Sequence, residues 1–200
     1  FGMFISEKLS GTINSAVQGK ASLKSGQELV HIFNSENTAM ALGFQALAVA
    51  RAAQDGASID DCLALAEKAR ANTGVYFAVD TLEFLHRGGR IGGAKRLLGT
   101  AMKVKPILSV QDGLVASIES VRTKRKAHAR VLEIIMEKIG DNTPISIATV
   151  QANATEDANA LLELAQEKMD VKEVIHSEVS PVIGTHVGPG TVGLAYMAGV

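Results

Sequence analysis

Apolar residues along the chain follow two alternating patterns. Residues 75–79 form a continuous apolar run, which is typical of a strand buried on both faces of a sheet. Elsewhere apolar residues recur every three or four positions, as at Ala127, Val131, Ile134 and Ile135, and this spacing predicts amphipathic helices. The alternation of short apolar runs with helical stretches predicts an α/β chain.

These patterns predict where the individual elements lie. Helices are predicted over residues 10–21, 36–54, 59–71, 94–100, about 123–139 and 156–169, and strands over 2–5, 29–33, 75–79, 105–110, 114–119, 145–150, 171–179 and 192–198. Asp112-Gly113, between two of these strands, predicts a hairpin. We expect residues 1–74 to be the remainder of an N-terminal α/β lobe and 75–200 a C-terminal lobe, with 71–74 as the linker.

Composition narrows the class of protein. The chain is 46% hydrophobic and 20% charged, which is typical of a globular domain. A net charge of −1 gives no electrostatic basis for binding nucleic acid, and no apolar run approaches the roughly 20 residues that a membrane-spanning helix needs. The single Cys62 excludes an internal disulfide and favours a reducing, cytoplasmic location, where we expect it as a buried thiol in a helix.

Two glycine-rich segments carry groups suited to an anion. Arg90 lies between glycines in residues 88–93, and His186 lies in residues 184–190, where we predict a rigid turn with three glycines and a proline. A guanidinium and an imidazole held in this way can bind a small anionic group. Two alternatives stay open: Arg90 can make a structural ion pair or a helix-end contact, and His186 can be a structural histidine.

A third candidate is the hydroxyl cluster around Ser10, Gly11 and Thr12 at a predicted helix start. Hydroxyls and free backbone N–H groups at such a position can bind an oxyanion. The alternative is that Ser10 or Thr12 only caps the helix.

Signs of catalysis are weak. The histidines other than His186 lack metal-ligand spacing, and no nucleophile elbow, zinc-protease, paired-cysteine or P-loop motif occurs, so we predict no metal and no catalytic residue. Asp80 follows a strand and either caps the next helix or acts as a base. We therefore favour a binding protein. The alternative is an enzyme that acts on a small phosphorylated or carboxylated metabolite and uses Asp80 or His186 as its base. A third possibility is a structural or regulatory partner module with a vestigial pocket.

Taken in order, five segments resemble the DegV family of bacterial fatty-acid-binding proteins, and the resemblance covers essentially the whole chain. They are residues 5–16, 80–91, 98–113, the basic helix after Arg122, and 184–190. The resemblance implies two α/β lobes with mixed sheets flanked by helices. It also implies a lipid-binding protein that uses no cofactor and binds a long-chain fatty acid. The acyl chain would lie in a tunnel of the larger lobe, and the carboxylate would lie between the lobes.

The resemblance also implies a site and a partner. The ligand-binding residues would be Ser10, Gly11, Thr12, Arg90, Ile91, Thr185 and His186. Some family members present the acid to a separate, dihydroxyacetone-kinase-like fatty-acid kinase, whose acyl phosphate enters phospholipid synthesis, and Arg87, Lys95 and Arg96 would then be docking residues. Family members carry about 70–80 further residues ahead of this start, so we expect the first lobe to be incomplete.

Overall fold

The computed structural model describes residues 1–98 and 104–200. In these ranges the helices are Thr12–Ala21 (α1), Ala39–Gln54 (α2), Ile59–Ala71 (α3), Glu83–Arg87 (α4), Lys124–Ile139 (α5), Thr155–Lys168 (α6) and Pro181–Val187 (α7). The strands are Gly2–Phe4 (β1), Ile32–Asn34 (β2), Thr73–Ala78 (β3), Lys105–Gln111 (β4), Leu114–Val121 (β5), Ile145–Ala152 (β6), Val171–Ile175 (β7) and Thr191–Ala198 (β8). Single 3₁₀ helices lie at Gln27–Leu29 and Gly92–Leu97.

Six strands form a mixed sheet in the order β5-β4-β3-β8-β6-β7. Its neighbouring strands are antiparallel except for β6 and β7, which are parallel. The Asp112-Gly113 turn joins β4 to β5, as predicted. β1 and β2 pair in parallel as a separate small sheet.

Alternate side chains of β3 serve two different cores, since successive residues of a strand point to opposite faces. Val75 and Phe77 pack on the side of α2 and α4. Tyr76 and Ala78 pack on the opposite side, against α5 and α6. The central strand is therefore buried on both faces, as its apolar run predicts, and the mixed sheet flanked by helices is confirmed.

Side-chain hydrogen bonds set where two helices begin. The Thr123 hydroxyl accepts from the Lys126 amide at 3.3 Å and caps α5, whose start agrees with the helix predicted from about residue 123. The predicted helix over 36–54, however, begins only at Ala39. Ser35 Oγ accepts from the Asn37 amide at 3.1 Å, and such local bonds compete with helix formation.

The glycine-rich segments also differ from their predictions. The predicted turn around His186 is wrong: Ser180 Oγ accepts from the Ile183 amide and Pro181 occupies the first turn, so the chain forms α7 there. The helix predicted over 94–100 is a 3₁₀ helix that already starts at Gly92, and Gly99 and Thr100 lie outside the described residues.

The linker predicted over residues 71–74 is not a loop, because Thr73 already begins β3. The division into residues 1–74 and 75–200 stays a prediction. Cys62 is buried in α3, as expected, where it packs with Phe33, Val49 and Ala66.

Candidate functional site

A cavity of about 430 Å³ lies between the first part of the chain and the α2 side of the six-stranded sheet. Its seventeen lining residues are Ile5, Leu9, Ser10, Thr12, Thr38, Ala39, Leu42, Phe77, Leu85, Arg90, Val110, Val115, Ser180, Val182, Ile183, His186 and Val187. Eleven of these are apolar, so the walls are mainly aliphatic. Small-molecule sites commonly have about 300–1,000 Å³, with apolar walls and a few placed polar groups.

The polar part of the lining favours an anion. Arg90 is a permanent cation, His186 offers an imidazole, and Ser10 and Thr12 offer hydroxyls. Among the described lining residues there is no aspartate or glutamate. A carboxylate or phosphate therefore meets donors here without facing a like charge.

The Ser10–Thr12 turn presents its two hydroxyls together. Ser10 Oγ lies 2.8 Å from Thr12 Oγ1 and accepts from the Thr12 amide at 3.3 Å. Gly11 is the N-cap residue of α1 and has no side chain to cap it, but the Ser10 bond to the Thr12 amide satisfies the first amide of the helix, so part of the capping alternative is present. Both hydroxyls are at the cavity, whereas Gly11 is not among its lining residues.

Buried and exposed bonds fix this turn to the β4–β5 hairpin. Ser6 Oγ donates to the Gly113 carbonyl at 2.7 Å, and Ser6 is fully buried. Lys8 Nζ donates to the Asp112 carbonyl at 2.8 Å. The Ser10 amide in turn donates to the Ser6 carbonyl at 3.0 Å. The hairpin thus determines where Ser10 stands.

Arg90 bridges two segments at the cavity wall. Its Nε donates to the Leu9 carbonyl at 3.2 Å, and its Nη1 donates to the Gly88 carbonyl at 2.9 Å, at the end of α4. The helix-end contact considered for Arg90 is therefore present. The guanidinium has five N–H donors, so these two bonds leave donors for a ligand.

His186 is placed by a glycine. A Cβ atom added at Gly88 would lie 2.0 Å from His186 Nδ1, so only the absence of a side chain at Gly88 lets the ring lie there. Nδ1 is buried and has no hydrogen-bond partner within the described residues. His186 as a whole is partly buried, and the residue lines the cavity.

Two further residues predicted at the site do not reach the cavity. Ile91 is buried in the core on the α2 side of the sheet. Thr185 is exposed, and its Oγ1 donates to the Pro181 carbonyl at 2.9 Å on the same helix. The structure thus brings together Ser10, Thr12, Arg90 and His186, and their role as ligands stays a prediction.

Sequence reasoning missed two polar residues of the lining, Thr38 and Ser180. The helix predicted from residue 36 placed Thr38 inside it and hid its position at the helix start. The Ser180-Pro181 pair is a helix-start signal. The glycines that follow it led instead to the prediction of a turn.

Asp80 does not cap the next helix, which was the first of its two possible roles. Its carboxylate accepts from Lys105 Nζ at 2.7 Å and lies 3.1 Å from Lys124 Nζ. Burial alone would raise the pKa of Asp80, but hydrogen bonds from the two lysines and their charges outweigh it and hold the pKa below the usual range. Asp80 does not line the cavity. Because it is paired with two cations, it is also a poor base, and both observations argue against an enzyme that uses Asp80 on a small metabolite.

The basic residues near Arg90 lie at the surface. Arg87 pairs with Glu83 along α4, and Arg96 Nη2 donates to the Ser117 carbonyl at 3.0 Å. Lys95 is exposed. Across the described ranges, no cluster of three or more His, Cys, Asp or Glu side chains has the arrangement of a metal site. None of the described helices has the length and apolar character to cross a membrane.

The fold and the cavity define an α/β protein with a mainly apolar cavity suited to a ligand. A family model described as "Uncharacterised protein, DegV family" matches residues 1–199. A DegV domain-containing protein of Streptomyces coelicolor is 40% identical over 193 residues, which are 96% of this chain and 67% of that protein. The chain belongs to the DegV family, as its motifs predict.

Solved structures agree with this assignment. A DegV family protein from Thermus thermophilus, described by its fatty acid binding, matches with a TM-score of 0.91 and 31% identity, over 97% of this chain and 69% of that one. DegV from Bacillus subtilis, described as a fatty acid binding protein, matches with a TM-score of 0.84 and 32% identity, over 97% and 68%. The prediction of a lipid-binding protein rather than an enzyme agrees with these descriptions.

Proposed function

We propose that this protein binds a long-chain fatty acid. The observation that carries the proposal is the cavity itself, because aliphatic walls and an anion-binding set of polar groups occur in one space. The apolar side chains, such as Leu42, Phe77 and Ile183, would contact the acyl chain. The carboxylate would face Ser10, Arg90 and His186.

The free energy of binding such a ligand has two parts, one from the apolar and one from the polar side chains that line the cavity. Each methylene buried against apolar side chains contributes about 0.8 kcal/mol. Burying an unpaired carboxylate would cost several kcal/mol. A charge-assisted hydrogen bond from Arg90 and bonds from Ser10 and His186 offset that cost. The acyl chain therefore supplies most of the affinity, and the polar groups fix the direction in which the acid lies.

The relatives support the same class of ligand. The Thermus thermophilus and Bacillus subtilis proteins, both described as binding fatty acid, share the fold of this chain at more than 30% identity. The mainly apolar lining suits an acyl chain better than a small polar metabolite. We therefore extend fatty-acid binding from those proteins to this chain.

We further propose that the bound acid is presented to a fatty-acid kinase in the cytoplasm and that its acyl phosphate is used for phospholipid synthesis. A carboxylate at the rim of the cavity, beside Arg90, would be within reach of a partner enzyme. The exposed Arg87 and Lys95 flank Arg90 along the chain, and with Arg96 they provide a basic surface for docking.

The test of binding is native mass spectrometry of the protein purified from a bacterial host, with lipid extraction and titration of the stripped protein with palmitate. We expect one acyl chain per protein. We also expect Arg90→Ala and His186→Ala each to weaken palmitate binding about tenfold, the loss of one charge-assisted bond. Arg125→Ala, an exposed arginine on α5, is the matched control and should bind as wild type.

Unchanged affinity in both site variants would show that the site assignment is wrong. Absence of any bound or binding acid would contradict the proposed function. In a second arm, the palmitate-loaded protein is mixed with ATP and a fatty-acid kinase. Acyl phosphate formed only in the presence of this protein would support the carrier role.

A further inference from the structure

The C-terminal ends of α4 and α7 fit against each other through two glycines. Gly88 ends α4, and Gly188 ends α7. A Cβ atom added at Gly88 would lie 2.0 Å from Nδ1 of His186 in α7, and one added at Gly188 would lie 2.2 Å from Cδ2 of Phe84 in α4. Each helix therefore places a ring in the space that the glycine of the other helix leaves open.

The packing against α4 is the main contact that α7 makes. Among the described elements, α4 is the only one in extensive contact with α7. Of the seven residues of α7, Val187 alone is buried, and Val182 near the other end is 72% exposed. Thr191 Oγ1 lies 2.9 Å from the Gly188 carbonyl oxygen and joins the end of α7 to β8. The ring of Phe84 joins the same end to α4.

The contact between Phe84 and Gly188 is closely fitted. Gly188 has a φ of 78°, in the left-handed region that favours glycine. Three ring carbons of Phe84 would lie within 2.9 Å of an added Cβ, closer than real side chains allow. Phe84 itself is half-buried and does not line the cavity. Any effect of Phe84 on a ligand must therefore pass through the residues that it holds in place.

We infer that Phe84 is a positioning residue of the site, whose ring against Gly188 holds the end of α7 so that His186 occupies the space over Gly88. This inference rests on the proposed function. His186 lies two residues before Gly188, whereas Val182 and Ile183 lie in the first turn of α7. A shift of the helix end therefore moves the imidazole more than the apolar wall of the cavity.

The experiment is a double-mutant cycle in the full chain after lipid stripping, with palmitate as the probe. Phe84→Ala opens a space beside Gly188 into which the end of α7 can move. We expect this variant to bind palmitate about three- to tenfold more weakly, up to the loss expected from His186→Ala. In the His186→Ala background the same change should cost less than about twofold, because the group through which Phe84 acts is absent.

Phe4→Ala is the matched control. Phe4 is also half-buried and does not line the cavity, and its ring also lies against a glycine, since a Cβ added at Gly2 would lie 2.8 Å from Phe4 Cε2. Both alanine variants should lower the melting temperature of the stripped protein by a few degrees, roughly what a lost half-buried ring predicts. Phe4→Ala should nevertheless bind palmitate nearly as wild type.

Two additions keep the test decisive. Phe84→Leu, a milder change, takes the place of the alanine variant if that variant does not fold, and its palmitate affinity should also be below that of wild type. A crystal structure of the stripped Phe84 variant reports on position without any ligand, and we expect the His186 ring to have left its place over Gly88.

Three results would overturn the inference while leaving the proposed function standing. These are a palmitate affinity in the folded Phe84 variant no lower than in Phe4→Ala, losses from Phe84→Ala and His186→Ala that simply add, or a His186 ring that stays over Gly88 in the crystal structure. If instead the wild-type protein binds no palmitate, the proposed function fails, and the crystal structure alone decides whether Phe84 holds His186 in place.

Discussion

At the scale of single residues, the contact between Gly88 and His186 is the most demanding in the site. Gly88 has a φ of −76°, which any residue can adopt, so its backbone does not require glycine. What requires glycine is space, because an added Cβ would lie 2.0 Å from His186 Nδ1 and 3.1 Å from the Phe84 carbonyl oxygen. The absence of one methyl group thus sets the position of the imidazole.

Gly88→Ala should therefore impair binding more than it impairs folding. We expect the alanine to displace the His186 ring and to weaken palmitate binding at least as much as His186→Ala, measured by titration of the stripped protein. Gly19→Ala is the control, since a Cβ at Gly19 in α1 meets open space. There the change should stabilise the protein by about 0.5–1 kcal/mol. Palmitate affinity in the Gly88 variant equal to that of the control would contradict this account.

At the scale of elements, the β4–β5 hairpin acts as a support for the Ser6–Ser10 turn. Gly113 has a φ of 76°, and an added Cβ would lie 2.5 Å from Ser6 Oγ, so the hairpin residue must be glycine for the turn to approach. The buried Ser6 hydroxyl then donates to the Gly113 carbonyl at 2.7 Å, across 107 positions of sequence. One site residue, Ser10, is thus positioned by strands distant in the chain.

Ser6→Ala removes this bond and leaves the Gly113 carbonyl without its side-chain donor. We expect a loss of about 1–3 kcal/mol in the free energy of unfolding, measured in urea. Weaker palmitate binding should accompany it, although Ser6 does not line the cavity. Ser22→Ala is matched to it, because Ser22 Oγ also donates to a glycine carbonyl at 2.7 Å but is exposed. That variant should change stability by less than about 0.5 kcal/mol, and equal losses in both would disprove the role of burial.

At the scale of the whole molecule, two carboxylates join distant parts of the fold. Asp80, after β3, binds Lys105 of β4 and Lys124 of α5. Glu173 of β7 pairs with Arg51 of α2 at 2.5 Å. The hydrogen bond and charge of Arg51 hold the pKa of Glu173 below its usual range, and that of Asp80 is likewise lowered by its lysines.

Because their pKa values are lowered, the two carboxylates stabilise the fold by an amount that depends on pH. A carboxylate whose pKa is lower in the folded state stabilises it above the unfolded pKa, about 4, and this contribution disappears as the pH falls through the folded pKa. We therefore expect wild type to be more stable than the double variant Asp80→Asn/Glu173→Gln at pH 7. The difference should be no more than about 1–2 kcal/mol, since both sites are partly exposed, and it should vanish in urea titrations near pH 2.

Asp55→Asn serves as the control for the acid titration. Asp55 is exposed at the end of α2 and forms no ion pair among the described residues. Its substitution removes a carboxylate without breaking an ion pair and should change the free energy of unfolding at pH 7 by less than about 0.5 kcal/mol. A difference between wild type and the double variant that stays constant from pH 7 to pH 2 would exclude the two carboxylates as its cause.

The sequence predicted the sheet better than the site. The apolar run at 75–79 and the spacing in α5 depend on burial alone, and burial leaves a clear periodic pattern. α7 and the start of α2 were mispredicted because local side-chain bonds at Ser180 and Ser35 decide them. Thr38 was missed as a residue of the cavity lining because the helix predicted from residue 36 placed it inside the helix, whereas α2 begins only at Ala39.

The position of β8 has a consequence for how the protein is made. A ribosome releases β3, β4 and β5 first, then β6 and β7, and only afterwards the strand that lies between β3 and β6. Before β8 is made, β3 and β6 each lack the neighbour that they share in the folded sheet. α7, which carries His186, immediately precedes β8. The six-stranded sheet therefore closes, and His186 takes its place beside Gly88, only once residues 181–198 have been made.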